Sequence, residues 1–169
     1  MISPADVPSR LEAAGIDFVL TEHDAVFTVE ESAHLHATLP GVHTKNLFLK
    51  DAGGQFWIVS APHDASVDLK ALPAAIGSRK VSFGKAEDME RLLGVSPGSV
   101  TPLAAINDDD GAVRVVLDRR VAEAATVQVH PLRNTATVGL SGAALVSFLA
   151  ANGHAPLVGD LPAPPFVCA

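Results

Sequence analysis

The sequence predicts one α+β domain, with a mixed, largely antiparallel β-sheet flanked by helices. Three observations carry this. The 169 residues fit a single core, and two independent cores would be cramped. Strand-like and helix-like runs are interspersed without strict βαβ alternation. Hydrophobic residues make up 48% and charged residues only 18%, a balance that fills a core and argues against disorder. No repeat, linker or composition break interrupts the chain, so the domain is expected over residues 1–160, with 161–169 as a Pro-rich tail.

The elements follow in order. Ser3 and Pro4 have the residue types of an N-cap and a first helical position, and Gly15 ends that helix. Asp17 to Thr21 alternates towards a short strand. Thr28 and Glu31 have capping-box spacing for a helix running to about Thr38, which Pro40-Gly41 breaks. Thr44 to Asp51 and Gln55 to Ala61 are strand-like runs around Gly53-Gly54, a hairpin signal. Asp68 caps a short helix ending at Gly77, and Lys80 to Phe83 is a strand. Glu87 to Leu93 is a helix with Gly94 at its C-terminal cap. A turn-rich segment from Val95 to Pro102 leads to an apolar stretch ending at Ile106. Asn107 to Gly111 is a polar turn. Val113 to Leu117, Ala125 to Val129 and Thr135 to Leu140 are β-rich. Ser141 caps a final amphipathic helix stopped by Asn152-Gly153, and Leu161 to Pro165 is extended and loosely held.

Twelve Lys and Arg against nineteen Asp and Glu leave a net charge of -7. That argues against an unspecific binder of long nucleic acid, which carries a broad basic footprint. A local basic patch for one end of an RNA remains compatible. The single cysteine, Cys168, precludes an internal disulfide and a multi-cysteine zinc site. The segment MISPADVPSRLEAAG lacks the uninterrupted apolar core of a signal peptide. No apolar run reaches the roughly 20 residues that a bilayer requires. These features predict a cytoplasmic protein without membrane contact.

Three segments hold residues suited to chemistry. Lys45 enters a strand whose later positions are strongly apolar, so it can offer a compact positive charge to a cleft. The plainer reading is an edge or rim lysine with its head in water. Pro97-Gly98-Ser99-Val100-Thr101-Pro102 fixes an irregular backbone that can aim N–H groups at a substrate oxygen, or is simply a structural turn. His130 closes a β run just before Pro131 and suits acid, base or donor work near neutral pH, with Asn134 and nearby threonines adding neutral partners. Its plainer reading is a solvated histidine at a strand end. The other histidines show no metal-ligand spacing. His34 and His36, two apart on a helix, face different directions. The Asp108-Asp109-Asp110 run reads as a solvated turn. No GxSxG elbow, P-loop or dinucleotide fingerprint occurs.

The runs HTKNLFLKD (His43 to Asp51), FGKAEDMERLLGV (from Phe83), LGVSPGSVTPLAAIND (Leu93 to Asp108) and HPLRNTATVGLS (His130 to Ser141) together resemble the YbaK-type aminoacyl-tRNA deacylase family. That family includes the editing insertion of bacterial prolyl-tRNA synthetases. The resemblance extends from about Asp6 to Pro156, in one order and without large gaps. It implies a mixed sheet flanked by helices and a cleft for the acceptor end of mischarged tRNA(Pro). The implied reaction is hydrolysis of the ester between a wrong amino acid and the terminal adenosine. The chain is close in size to one editing domain without a synthetase body, which points to a freestanding editor of alanyl-tRNA(Pro). Prolyl-tRNA synthetase or an elongation factor would compete for the same tRNA.

The family lysine falls on Lys45, the glycine-proline loop on Gly98, Ser99, Val100, Thr101 and Pro102, and the histidine on His130. Asn46, Pro102 and Asn134, inside the same runs, are expected to bind substrate. Lys50, Arg79 and Lys80, with Lys85 nearby, are expected to touch the acceptor stem. The resemblance implies no catalytic metal, no cofactor and no covalent intermediate. Such an ester is already activated, so the site must place a water, hold the carbonyl and stabilise an oxyanion. Two alternatives stay open: the same chemistry on cysteinyl-tRNA(Pro), and a non-catalytic module that binds tRNA or a partner.

Overall fold

The hairpin around Gly53-Gly54 forms the middle of the sheet. The computed structural model describes residues 1–25 and 29–165. In it β2 (Val42–Asp51) and β3 (Phe56–Pro62) pair antiparallel from Thr44↔Pro62 to Lys50↔Phe56. Gly54 takes a positive φ of 87° in the turn, a conformation open to glycine without steric cost. Every residue of β3 is buried, as expected of a strand covered on both faces.

The remaining strands are β1 (Val19–Glu22), β4 (Val81–Phe83), β5 (Val113–Asp118), β6 (Val127–Val129), β7 (Ala136–Leu140) and β8 (Leu157–Gly159). They complete an eight-stranded sheet in the order β1-β7-β6-β2-β3-β5-β8, with β4 paired to β2. The β1–β7, β2–β3, β2–β4 and β6–β7 pairs are antiparallel, and β2–β6, β3–β5 and β5–β8 are parallel. The sheet is therefore mixed, with antiparallel pairs ahead.

The helices are α1 (Val7–Ala13), α2 (Val29–Thr38), α3 (Leu72–Ile76), α4 (Ala86–Leu93), α5 (Arg119–Ala122) and α6 (Gly142–Ala151), with 3-10 turns at Pro4–Asp6 and Pro102–Asn107. Strand side chains alternate between faces, and each face builds its own core. Phe48, Ile58, Val115, Val127 and Val138 pack with Leu11, Leu93, Leu103, Leu145 and Phe148 from the helices in the larger one. Leu49, Trp57, Val59 and Val116 pack with Leu72, Ile76 and Val81 in the smaller one.

Several sequence expectations need correction. Asp118 caps an unexpected turn, α5, by accepting from Arg120 N–H at 2.8 Å. Asp108 is not part of a solvated turn: it is buried, accepts from Val113 N–H at 2.8 Å and sits 3.2 Å from His154 Nε2. Helix α6 is apolar nearly all round rather than amphipathic, because its sequence is GAALVSFLAA. Residues 157–159, between the stop at Asn152-Gly153 and the tail, add β8 alongside β5. Leu161 then packs on the smaller core and Pro162 carbonyl accepts from Asp68 N–H at 2.8 Å, so this start of the tail is tied down. Thr28, the Glu31 side chain and Cys168 lie outside what the structure describes, so the expected capping pair is not seen. Among the described residues no helix is long and apolar enough to cross a membrane.

Candidate active site

One face of β2 carries His43, Lys45, Leu47 and Leu49 in alternation. The parallel pair His43↔Gln128 and the antiparallel pair Gln128↔Gly139 place Gln128 and Gly139 on that same face. Carried one alternation further, both ladders bring Lys45, His130 and Thr137 into neighbouring rows. Helix α2 covers this face. The result is a cavity of ≈ 190 Å³ lined by Leu35 and His36 from α2 and by His43, Thr44, Gln128, Val129, His130 and Thr137 from the sheet. A larger open hollow of ≈ 740 Å³ shares Gln128 with it. His36, His43 and His130 line the smaller cavity.

Most of the polar hydrogens around the small cavity are already committed to backbone carbonyls. His43 Nε2 donates to Leu39 O at 2.9 Å, Thr44 hydroxyl to Gln128 O at 2.8 Å, and Gln128 Nε2 to Pro40 O at 2.8 Å. A carbonyl only accepts, so each bond fixes where the hydrogen sits. His130 Nδ1 faces Ala136 O at 3.4 Å, which leaves its Nε2 as the lone-pair nitrogen. Burial pushes the His130 pKa down, against the weaker opposing effect of the Ala136 carbonyl, so the ring is neutral at physiological pH. The cavity wall thus carries acceptor atoms on Thr44 and His130.

His36, His43 and His63 form a cluster beside the cavity, with ring centroids 4.4 Å apart for His36–His43 and 3.8 Å for His36–His63. Burial first, then the neighbouring His63 and His43, lower the pKa of His36. Among the described residues no group of three or more His, Cys, Asp or Glu is arranged to hold a metal ion.

The other expected residues fall into groups. Lys45 is half-buried, opposite Ala61, on a strand inside the sheet and not at its edge. It lies next after His43 on the site face and does not line the small cavity itself. Asn46 points to the opposite face, where its Oδ1 accepts from Ser60 hydroxyl. Gly98 is exposed with φ 91°, and a Cβ built there would come 3.9 Å from Asn134 Nδ2, so these two loops adjoin. Ser99 is buried and its N–H donates to Ser96 O at 3.0 Å. Val100 and Pro102 are buried, and Thr101 oxygen accepts from Leu103 N–H as a helix cap. The side chains of Val100, Thr101 and Pro102 therefore hold the loop to the core. Lys50 pairs with Ser82, and Arg79 and Lys80 immediately precede β4, so all three meet at one corner of the sheet.

Sequence reasoning missed His36, His43 and Gln128 in the cavity wall and His63 beside them, and reached Thr137 only as one of the threonines near His130. The alternation of His43 with Lys45 and of Gln128 with His130 held a usable signal. The histidine cluster held none, because its members come from separate elements. Leu132, two residues after His130, has a left-handed φ of 63° and is buried. Such a non-glycine conformation costs on the order of 1–3 kcal/mol and tends to occur at functional sites. The Arg133–Glu22 ion pair, one of whose bonds is 2.8 Å, ties this turn to β1.

A family model described as "Aminoacyl-tRNA editing domain" matches residues 23–148. The prolyl-tRNA editing protein ProX of Acetoanaerobium sticklandii is 38% identical over 149 residues, covering 88% of this chain and 91% of that protein. Prolyl-tRNA synthetase associated domain-containing protein 1 of Mus musculus is 38% identical over 159 residues, covering 91% and 94%. A crystal structure of a candidate trans-editing enzyme for prolyl tRNA synthetase superposes with a TM-score of 0.70 at 20% identity, covering 97% of this chain and 100% of that one. The match spans both the histidine-lined cavity and the Gly98 loop, and the chain belongs to the aminoacyl-tRNA editing domain family as an aminoacyl-tRNA deacylase.

Proposed function

We propose that the protein acts in trans on mischarged tRNA(Pro), and that its preferred substrate is alanyl-tRNA(Pro). The observation that carries this is the ≈ 190 Å³ cavity with His130 in its wall, well below the roughly 300–1,000 Å³ of pockets for drug-sized ligands. A small aminoacyl group suits it. The relative named as a prolyl-tRNA editing protein supports the choice of tRNA.

In this reading a water attacks the ester carbonyl. The carbon–oxygen bond to the terminal ribose breaks, one proton of the water goes to the ribose oxygen and the other to solvent, and the amino acid leaves as its carboxylate. Lys45, at the rim of the site face, holds a phosphate or carbonyl oxygen through charge-assisted hydrogen bonds. Neutral His130 accepts a hydrogen bond from a substrate hydroxyl or the water. The exposed Gly98 turn and Asn134 border the entering chain end, and Asn46 supports β2 from behind through Ser60. Lys50, Arg79 and Lys80 provide the local basic corner for the acceptor stem on an otherwise acidic protein.

The test is a parallel time course on one tRNA(Pro) charged with alanine, cysteine or proline. Fast loss of alanine with proline retained is expected if the pocket fits the methyl side chain and rejects the larger ring by clash. Equal rates for alanine and proline would overturn the editing role. A preference for cysteine would move the protein to cysteinyl-tRNA(Pro), and no hydrolysis would leave a binding module.

A further inference from the structure

Thr137 has an unusual partner for a cavity-lining hydroxyl. Its Oγ1 lies 2.8 Å from His23 Nε2, and Thr137 is only 6% exposed. The other ring nitrogen, His23 Nδ1, lies 2.7 Å from Asp24 O. A carbonyl oxygen only accepts, so Nδ1 carries the hydrogen and Nε2 of the neutral ring is a lone pair. The Thr137 hydroxyl must then donate to His23. Its hydrogen points out of the cavity towards β1, and its lone pairs remain on the cavity side. The His23 ring is well placed for this. His23 N–H donates to Thr135 O at 2.9 Å and continues the β1–β7 ladder one residue beyond Glu22↔Ala136.

We propose that His23 is a positioning residue: by accepting the Thr137 hydroxyl proton it fixes this corner of the cavity as a hydrogen-bond acceptor, selecting a donor group on the substrate. The inference rests on reading the cavity as the deacylation site. It adds to the acceptor atoms of Thr44 and His130 in the same wall. Left to rotate, the Thr137 hydroxyl would serve as donor or acceptor. Bound to His23, it serves only as acceptor, and an acceptor atom of the substrate placed against it is repelled. No side chain in this chain needs to move for the selection to operate.

Two measurements test this. In ¹⁵N spectra of the imidazole groups at about pH 8, where an ordinary histidine is neutral, His23 is expected as the Nδ1–H tautomer with an unprotonated Nε2. The Nε2–H tautomer would overturn the proposal, whatever the substrate proves to be. In single-turnover deacylation of alanyl-tRNA(Pro), His23→Ala and Thr137→Val are each expected to slow the reaction by about tenfold. His23→Gln keeps an acceptor for the hydroxyl and is expected to recover most of the rate, as is Thr137→Ser. The double variant His23→Ala/Thr137→Val is expected to lose no more than Thr137→Val alone, because the two residues act as one unit. Additive losses, or failure of His23→Gln to recover the rate, would mean a merely structural histidine. If the parent protein leaves alanyl-tRNA(Pro) intact, the functional reading fails, and the tautomer still decides the geometry.

Discussion

Along one face of β2, His43 and Lys45 are followed by Leu47 and Leu49, and the two halves of this face do different work. Leu49 is fully buried with Trp57, Val59, Leu72 and Ile76, and Leu47 packs against the same cluster. His43 lies against His36 of α2 and lines a cavity walled by Gln128, His130 and Thr137, and Lys45 follows it on the same face. The strand geometry is continuous through both halves, since the pairing with β3 runs from Thr44 to Lys50 without a break. The cover differs. Over the leucines α3 supplies apolar side chains that fill the space. Over His43 the cover is α2, with Leu35 and His36 leaving a gap whose polar groups are tied back to the backbone. A rigid strand thus carries site residues at one end because its other end is anchored in a dry core.

If this division holds, substitutions in the two halves separate stability from activity. The largest effect is expected for Leu49→Ala. Truncating a fully buried leucine costs about 2–5 kcal/mol through lost transfer energy and the cavity left behind. Urea unfolding measures it, and deacylation should decline only as the folded fraction does. Next comes Lys45→Ala, expected to slow single-turnover deacylation by about a hundredfold or more, in the range for losing a group that stabilises developing charge. Its unfolding free energy should change by under about 1 kcal/mol. A Lys45→Ala protein as unstable as Leu49→Ala, or as active as the parent, would erase the distinction.

His130→Ala is expected to cost less activity, about tenfold, because a water replaces part of a neutral hydrogen-bonding group. A dead His130→Ala protein beside an active Lys45→Ala protein would reverse the ranking. The smallest effect concerns acid. Burial lowers the pKa values of His130 and His36 below the ordinary 6.5. The unfolded chain therefore binds protons that the folded protein refuses. The contribution of these neutral rings is complete above pH 6.5 and is lost as pH falls below it. Thermal unfolding midpoints should drop between about pH 7.5 and about pH 5.5, and His36→Gln should reduce that drop. An unchanged slope would mean that the histidine half of the face is as insensitive to protons as the leucine half.

The sequence by itself determined the elements whose signals are local. Gly53-Gly54 set the hairpin, Gly94 ended α4 in a left-handed cap at φ 69°, and Ser141 capped α6 by accepting from Ala144 N–H. Steric freedom at glycine and the reach of a serine oxygen act over a few residues. The same holds for the motif runs that mark the family, in which Lys45, Gly98 and His130 stand at readable positions. Tertiary structure alone decided which of them meet. Gln128 comes to His43 through a parallel pair across 85 residues of chain, and His23 comes to Thr137 through the antiparallel β1–β7 ladder. Buried Asp108 meets His154 from beyond α6, and β8 pairs with the free edge of β5. Such pairings depend on loop closure and on the register that buries most apolar surface over the whole sheet, which no window of neighbouring residues encodes.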